Sequence, residues 1–589
     1  MSIGSYSHFV PLEQVRQQIT AETGTDAFWE TFQNRYLFLR IKDKGSGMEY
    51  ILQEDLPFYL RLAKVNTNIT EDSYDKFGTA KNLLSIFLKI SDNTAIYLSD
   101  YSESRQIPAF VRNLFYYPIL VSQPPQVETT ASQFDLMGVT VITYERPIKE
   151  YMKRVIKRKQ DTDRIRHSNF TNTASYMGNK KKIAGFIIEA LFPYISNNPS
   201  FIDLMCGSGA MSQAFAQLGA TYASDAQEFC QLLAKIQGSG FTKKRATEVL
   251  EQLTYHYKKN YQELRKCYQE ELDREEALYR RDWFDKAYIL SMYNEYVADF
   301  SLYSSTEPIP EQLQALVSEY KEDSKKFPYC LFTLYFSNVF FGLHQCIQLD
   351  SLRYAIDQLS GEEKAWALGI LVVTAYQVSS GHANHFAQPK KITENNITDI
   401  LVKRQKSAYH EFSKRLICLA EESELTANEI KLLPGPWQNA LDCVIDSISG
   451  EKIVYLDAPY KRDEYSRYYH VLETMVKYDY PSSELKGRIR SKRLKERFAT
   501  EFFTKKTNIV EKKLVEIIMT VLSSNMKCAW SYSDNGDASI INVVNRILQQ
   551  TACKVYLYGT SHNHQSQRGS NHKIPVIEYC IVFCPDNNS

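Results

Sequence analysis

The chain has 589 residues, 44% of them hydrophobic, and its 70 Lys and Arg nearly cancel 69 Asp and Glu, leaving a net charge of +1. About 150 residues per domain allows three or four domains with ample apolar core. The neutral balance excludes a nucleic-acid argument from global charge and throws that question onto local basic segments.

No apolar run approaches the ~20 residues of a membrane span. The N-terminus MSIGSYSHFVPLEQ lacks a basic then apolar leader, and the eleven scattered cysteines form no CxxC pair. The sequence therefore reads as a reduced, cytoplasmic protein of a bacterial or archaeal cell, with no membrane partner and no structural zinc.

In chain order, residues 1–165 mix short strand-like runs such as RYLFLRI and AIYLSDY with helical patterns and carry no chemical motif. They are expected to form an N-terminal accessory domain. The basic stretch 149–167 reads as a helix leading into a linker, and SYMGNKKKIAGFIIEALFPYI then predicts a glycine-containing loop and an amphipathic helix.

A strand over Phe201 to Leu204 runs into the loop DLMCGSG and a helix beginning near Ala210, and ATYASD, 220–225, reads as the next strand. Gly207 and Gly209 let the backbone approach a ligand closely, and Asp225, at the end of the following strand, suits the two hydroxyls of a ribose. A lone GxG is weak, since a tight turn beside a helix-starting Asp gives the same letters. Residues 241–328, rich in Glu, Lys, Tyr and Arg at helical spacing, read as a helical insertion between a cofactor-binding half, 166–240, and a catalytic half, 329–589.

The second strand-end loop is Asp457-Ala458-Pro459-Tyr460, directly after the apolar strand IVYL. An adenine amine is a poor nucleophile because its lone pair is delocalised into the ring. An enzyme must accept both amine hydrogens and aim the lone pair at an electrophilic methyl. Asp457 and the Ala458 carbonyl can accept the hydrogens, Pro459 biases Ala458 toward extended geometry, and Tyr460 can stack on an extruded base. A strand ending in Asp, turn and Pro is common in α/β proteins, but its pairing with the glycine loop, each after a buried strand, is not.

Together these residues resemble the DNA adenine-specific methyltransferases of the Asp-Pro-Pro-Tyr type in the alpha-group motif order, over roughly 175–585. The resemblance implies an α/β, Rossmann-like methyltransferase fold with a mixed, mostly parallel sheet, plus the helical insertion and the accessory domain. It implies S-adenosyl-L-methionine as the methyl donor, without metal, and double-stranded DNA as the substrate. Tyr176, Gly178 and Lys180 look like the aromatic-x-Gly-x-Lys signature that helps hold the donor. Asp203, Met205, Cys206, Gly207 and Gly209 resemble the donor loop, Asp225 the ribose acid, and Asp442 in NALD the acid that contacts the donor adenine, at a spacing stretched by one residue. Ala458 departs from the first Pro of the family, keeping the carbonyl but loosening its backbone, and Met205 replaces the usual Phe.

Tyr465, Arg467 and His470 follow the catalytic loop, and Arg488, Arg490, Lys492 and Arg493 lie in GRIRSKRLKERF a few residues on, so the segment 461–510 is the expected grip on DNA. A packed aromatic helix face would produce the same tyrosines. KRVIKRK (153–159) and NKKK (179–182) are also basic, with solvated helix surface as the plain alternative. His382 and His385 have a spacing that suits a metal pair, yet no acidic or Cys partner completes a site, and Arg568 in SHNHQSQRGSNH suits a solvated hairpin tip.

The function expected is site-specific methylation of adenine N6 in a restriction-modification or phage-defence setting. The alternatives are a catalytically weakened DNA-binding or regulatory subunit with the same fold, and an RNA adenine methyltransferase. The accessory segments leave room for a partner subunit or a homodimer.

Overall fold

The computed structural model describes residues 9–24, 29, 41–42, 48–52, 56, 60, 85–90, 94–99, 120–122, 176, 178–195, 199–280, 285–297, 311–381, 385–387, 389–460, 465–486, 489–492, 501–504, 506–533, 536–564 and 574–586. Among the described N-terminal residues, a helix spans Leu12–Thr23 and two antiparallel three-stranded sheets form. One orders Phe9–Pro11, Glu49–Leu52 and Ile41–Lys42; the other orders Thr94–Ser99, Ser85–Ile90 and Leu120–Ser122.

The rest is built on one seven-stranded sheet. In chain order its strands are β1 (Ser200–Asp203), β2 (Ala220–Ala223), β3 (Ile430–Leu432), β4 (Lys452–Leu456), β5 (Lys527–Ser533), β6 (Cys553–His564) and β7 (Ile574–Pro585). Their spatial order is β6-β7-β5-β4-β1-β2-β3, with β5, β4, β1, β2 and β3 parallel and β7 antiparallel to both its neighbours. This is the expected mixed, mostly parallel sheet of an α/β methyltransferase fold.

Helices cover both faces, which is why the strands read as continuous apolar runs. Phe201, Ile453, Tyr455 and Val582 pack against α1 (Ala184–Leu191) and α2 (Ala210–Ala216). Their neighbours Ile202, Val454, Leu456 and Trp530 point the other way.

Between β2 and β3 lie ten helices among the described residues: α3 (Glu228–Lys235), α4 (Lys243–Cys267), α5 (Gln269–Tyr279), α6 (Lys286–Tyr296), α7 (Glu311–Glu322), α8 (Leu331–Phe336), α9 (Leu343–Ile356), α10 (Gly361–Val378), α11 (Ile397–Arg404) and α12 (Ala408–Glu424). The helical run thus continues past the expected end of the insertion at 328 and reaches Glu424. The reason is visible in α9 and α10, buried almost all round, which share one core with α4 and α12. The remaining helices are α13 (Trp437–Ser447), α14 (Tyr465–Lys477), α15 (Thr507–Ser523) and α16 (Ile540–Leu548); α13, α15 and α16 cover the Ile202 face of the sheet.

Helix α14 joins the helical core to the sheet. Its last carbonyls, on Met475 and Val476, accept from the buried Arg353 guanidinium at 3.1 and 3.3 Å. The chain then turns through Tyr478 and Tyr480, both left-handed at φ 54° and 45°. Strain of this kind persists only where surroundings over-determine it. Here the Tyr478 hydroxyl donates to Asp350 at 2.7 Å, and the Tyr335 hydroxyl donates to the Pro481 carbonyl at 2.7 Å. Asp350 also accepts from the Phe332 and Thr333 amides, both at 2.8 Å, and from the Thr333 hydroxyl at 2.7 Å.

Asp350→Ala would leave buried amides and the Tyr478 hydroxyl without their acceptor. The expected loss is about 3 kcal/mol of unfolding free energy, read from the urea midpoint at unchanged slope.

Candidate active site

The site grows from the register of two neighbouring strands. Asp203 pairs with Tyr455 across β1 and β4, and the Leu204 amide donates to the Tyr455 carbonyl at 3.0 Å. The two carboxyl ends therefore emerge side by side, and from them the chain leaves in opposite directions across the sheet. Such a switch point leaves a crevice above the strands.

On the β1 side, the Cys206 amide donates to the Ser224 carbonyl at 2.9 Å and the Gly207 amide to Asp225 Oδ2 at 3.0 Å, tying the glycine loop to the end of β2. Gly207 and Gly209 sit at φ 50° and 77°. A side chain at Gly207 would start 2.9 Å from the Tyr176 ring, and one at Gly209 would start 2.6 Å from the Ala234 backbone. Both glycines are thus required by conformation and by crowding. Gln237 bridges the Ser208 and Leu233 carbonyls at 2.7 Å, fixing the loop to α3. The half-buried Met205 packs at the edge of the sheet core, and Cys206 is buried and reduced.

Tyr176 closes this side as one layer of an aromatic stack. Its ring lies 4.8 Å from Tyr469 and 5.7 Å from Tyr465, both nearly parallel, with Phe229 at 6.4 Å. Gly178, at φ 77°, turns the chain so that Lys180 reaches across to β4.

On the β4 side, Lys180 Nζ lies 3.0 Å from Asp457 Oδ1, donates to the Gly178 carbonyl at 3.1 Å and sits 4.5 Å from the centroid of the Tyr460 ring. The Tyr460 hydroxyl donates to Glu578 Oε2 at 2.9 Å and meets Ser531 Oγ at 3.2 Å. The ring also packs 5.0 Å from Tyr532, and the Tyr460 carbonyl accepts from the Asp537 amide at 2.7 Å. Ala458, 1% exposed, is part of the core beneath the loop, and Pro459 follows it.

The crevice concentrates acid. Asp203, 1% exposed, accepts from Ser212 Oγ at 2.5 Å through one oxygen, while its Oδ1 is buried without a hydrogen-bond partner. Burial, reinforced by the nearby Asp457 and Asp225 charges, pushes its carboxyl up to about 7 despite the Ser212 bond. Burial raises Asp225 to about 6 against the amides of Gln227 and Gly207, and raises Asp457 against the opposing pull of Lys180.

The loops thus bring together Tyr176, Gly178, Lys180, Asp203, Cys206, Gly207, Gly209 and Asp225 with Asp457 and Tyr460. Ser212, Ser531 and Glu578 complete the arrangement and were not anticipated. Glu578 could have been noticed as a lone acid within the apolar strand EYCIVF.

Two expected positions are corrected. Asp442 is exposed on α13, off the buried face formed by Trp437, Ala440, Leu441 and Val444. The turn that reaches Asp225 is instead Gly435, where any side chain would start 2.1 Å from the Asp225 carbonyl. His470, expected to touch DNA, is 3% exposed and bonds the Phe386 carbonyl through Nε2 at 3.0 Å, packed against Phe336 and Phe340. An aromatic helix face turned inward has the same letters as one turned outward.

Tyr465 belongs to the Tyr176 stack, and Arg467 is half-buried on α14. Arg490 and Lys492 lie on Ile489–Lys492, which pairs antiparallel with Ser483–Lys486; Arg488, Arg493 and His382 lie outside the described residues, as does Arg568. His385 accepts from the Ala387 amide at 3.2 Å and stands edge-on to Tyr468. Among the described residues no three His, Cys, Asp or Glu side chains cluster as a metal site, and no helix is long and apolar enough to cross a membrane.

Residues 176–331 match the family described as D12 class N6 adenine-specific DNA methyltransferase. That stretch holds Tyr176 to Lys180, the glycine loop, Asp225 and the helices as far as the start of α8, while the Asp457 loop lies beyond it. No curated protein matches the chain.

Asp203 yields a prediction about stability. Its folded carboxyl, raised from 3.8 to about 7, holds a proton that the unfolded chain has already released, so it lowers stability as pH rises from about 4 to about 7. Asp203→Asn is expected to unfold at higher urea than the parent at pH 8, by a few kcal/mol at most, with the two converging below pH 4.

Proposed function

We propose that the protein transfers a methyl group from S-adenosyl-L-methionine to the exocyclic N6 of an adenine turned out of duplex DNA. What carries the reading is the adjacency of the glycine loop after β1 and Asp457 after β4, supported by the match of residues 176–331 to a family of N6 adenine-specific DNA methyltransferases.

The residues present fit the donor. Asp203 offers a buried acceptor without a partner, suited to an ammonium, and Asp225 has lone pairs left for ribose hydroxyls after its two amide bonds. The glycine loop gives close backbone approach, and the acid-rich crevice favours a cationic ligand. When bound, S-adenosyl-L-methionine supplies an electrophilic methyl carbon.

The chain's own part is to prepare the nucleophile. Asp457 accepts one amine hydrogen and the Ala458 carbonyl the second, which localises the nitrogen lone pair. Pro459 restrains Ala458 to extended geometry. Tyr460, anchored through its hydroxyl by Glu578 and Ser531, holds its ring rigid for stacking against the base. A new N–C bond would form as the S–C bond of the bound sulfonium broke with its electron pair going to sulfur, leaving a neutral thioether, and the methylated amine would shed one proton to Asp457 or to water. A carboxyl raised by burial takes such a proton more readily than an ordinary one.

Purified protein incubated with donor and duplex DNA should yield N6-methyladenine on nucleoside mass spectrometry, with RNA a poor substrate. Asp457→Ala is expected to lower the rate by about a thousandfold or more while donor affinity by calorimetry stays within a few-fold. Preferential methylation of RNA, or a fully active Asp457→Ala, would sink the assignment.

A further inference from the structure

One ammonium occupies both features that an adenine would use. Lys180 Nζ is paired with Asp457 Oδ1 at 3.0 Å, the group that would accept the amine hydrogen, and it stands 4.5 Å from the centroid of the Tyr460 ring, the surface on which the base would stack. The lysine side chain is only 8% exposed, so this is an enclosed contact rather than a surface pair. A base on that ring face, with its amine on that oxygen, needs the volume the ammonium fills.

The groups around Asp457 explain why a cation is there. From β4 and its own loop come the hydroxyls of Tyr455 and Tyr460, from the end of β1 comes Asp203, and from β7 comes Glu578 behind Tyr460. All of these are acids or hydroxyls. Lys180 supplies the positive charge, from a segment whose Tyr176 packs over Gly207.

We propose that Lys180 is a positioning residue that keeps Asp457 ionised and holds the base site closed with its own ammonium until an adenine displaces it. Its four-carbon stem lets the head slide off the ring while staying within reach of the carboxylate, so the charge that keeps Asp457 an acceptor is retained in the complex. The inference rests on the reading of Asp457 and Tyr460 as the base site. It deepens that reading by giving the base site a defined resident group, the Lys180 ammonium.

The test compares the parent protein with Lys180→Met and Lys180→Arg, using plasmid DNA as substrate across pH 5.5 to 9.5. Without the cation, burial acts on Asp457 against the Tyr460 hydrogen bond alone, so its carboxyl protonates at higher pH. The acid limb of kcat for Lys180→Met should therefore move up by about one pH unit or more. Because nothing need be displaced, KM for DNA should fall about threefold or more. Lys180→Arg should restore the position of the limb. Donor binding measured by calorimetry without DNA should stay within about threefold for both variants.

A Lys180→Met profile that keeps its acid limb and its KM would overturn the proposal. So would uniform loss of kcat at every pH, or a donor affinity weakened more than tenfold, which would assign the lysine to the donor. If the parent itself leaves DNA unmodified, it is the underlying function that fails. A parent that needs Asp457 alongside an unshifted Lys180→Met profile fails this inference alone.

Discussion

The parallel pairing of β1 with β4 is the constraint on which the site depends. These strands lie about 250 residues apart in the chain, yet their register brings Asp203 opposite Tyr455 and releases both strand ends at one level. From there β1 leads toward β2 and β3, and β4 toward β5 and the β6–β7 hairpin, so the loops diverge and open a crevice. A register slip by one residue would send Asp203 and Ile202 to exchanged faces and dismantle both loops together. The apolar side chains of β1 and β4, buried on both faces, hold that register more firmly than any hydrogen bond in the site.

This placement has an electrostatic consequence. Asp203, Asp225 and Asp457 share a buried crevice, and burial raises all three carboxyls above their ordinary range. Stability alone would not favour such an arrangement, because each ionised acid disfavours the others and none is offset by a full complement of cations. A cationic ligand would relieve this strain, whereas an anionic one would add to it. The electrostatics of the crevice therefore discriminate among ligands that the glycine loop alone would admit.

Much of this was legible in the sequence. Buried parallel strands are short apolar runs bounded by glycine or acid, and FIDL, ATYA, IVYL and CAWSYS satisfy that description, while CKVYLY and EYCIVF form the antiparallel hairpin at the sheet edge. β3 escaped because Ile430-Lys431-Leu432 is only three residues long and its middle one is charged and exposed. Asp442 has a related cause: NALD resembles an Asn-x-Asp region only with one residue inserted, and without β3 as a landmark nothing in those letters shows that they lie on a helix. His470 failed differently, since which side of α14 faces inward depends on helices contributed by residues 331–378, far away in sequence. Side-chain bridges such as Lys180 to Asp457 and Tyr460 to Glu578 join strands and loops with no fixed spacing, and no pattern within one segment contains them.

Helix α14 draws these parts into one mechanical unit. Its first two turns contribute Tyr465 and Tyr469 to the stack on Tyr176, on the glycine-loop side of the crevice. In its last turns, Glu473 accepts from the Glu228 and Phe229 amides at 3.4 Å, at the start of the helix that follows Asp225. Its C-terminal carbonyls are held by Arg353 from the helical core, next to Asp350 and Tyr478. Because α14 touches both the helical core and the Tyr176 stack, a displacement of the helical body would be carried to that stack. The buried contacts along this helix leave it little slack, so the helical core, the start of the helix after Asp225 and the Tyr176 stack are held in one fixed arrangement.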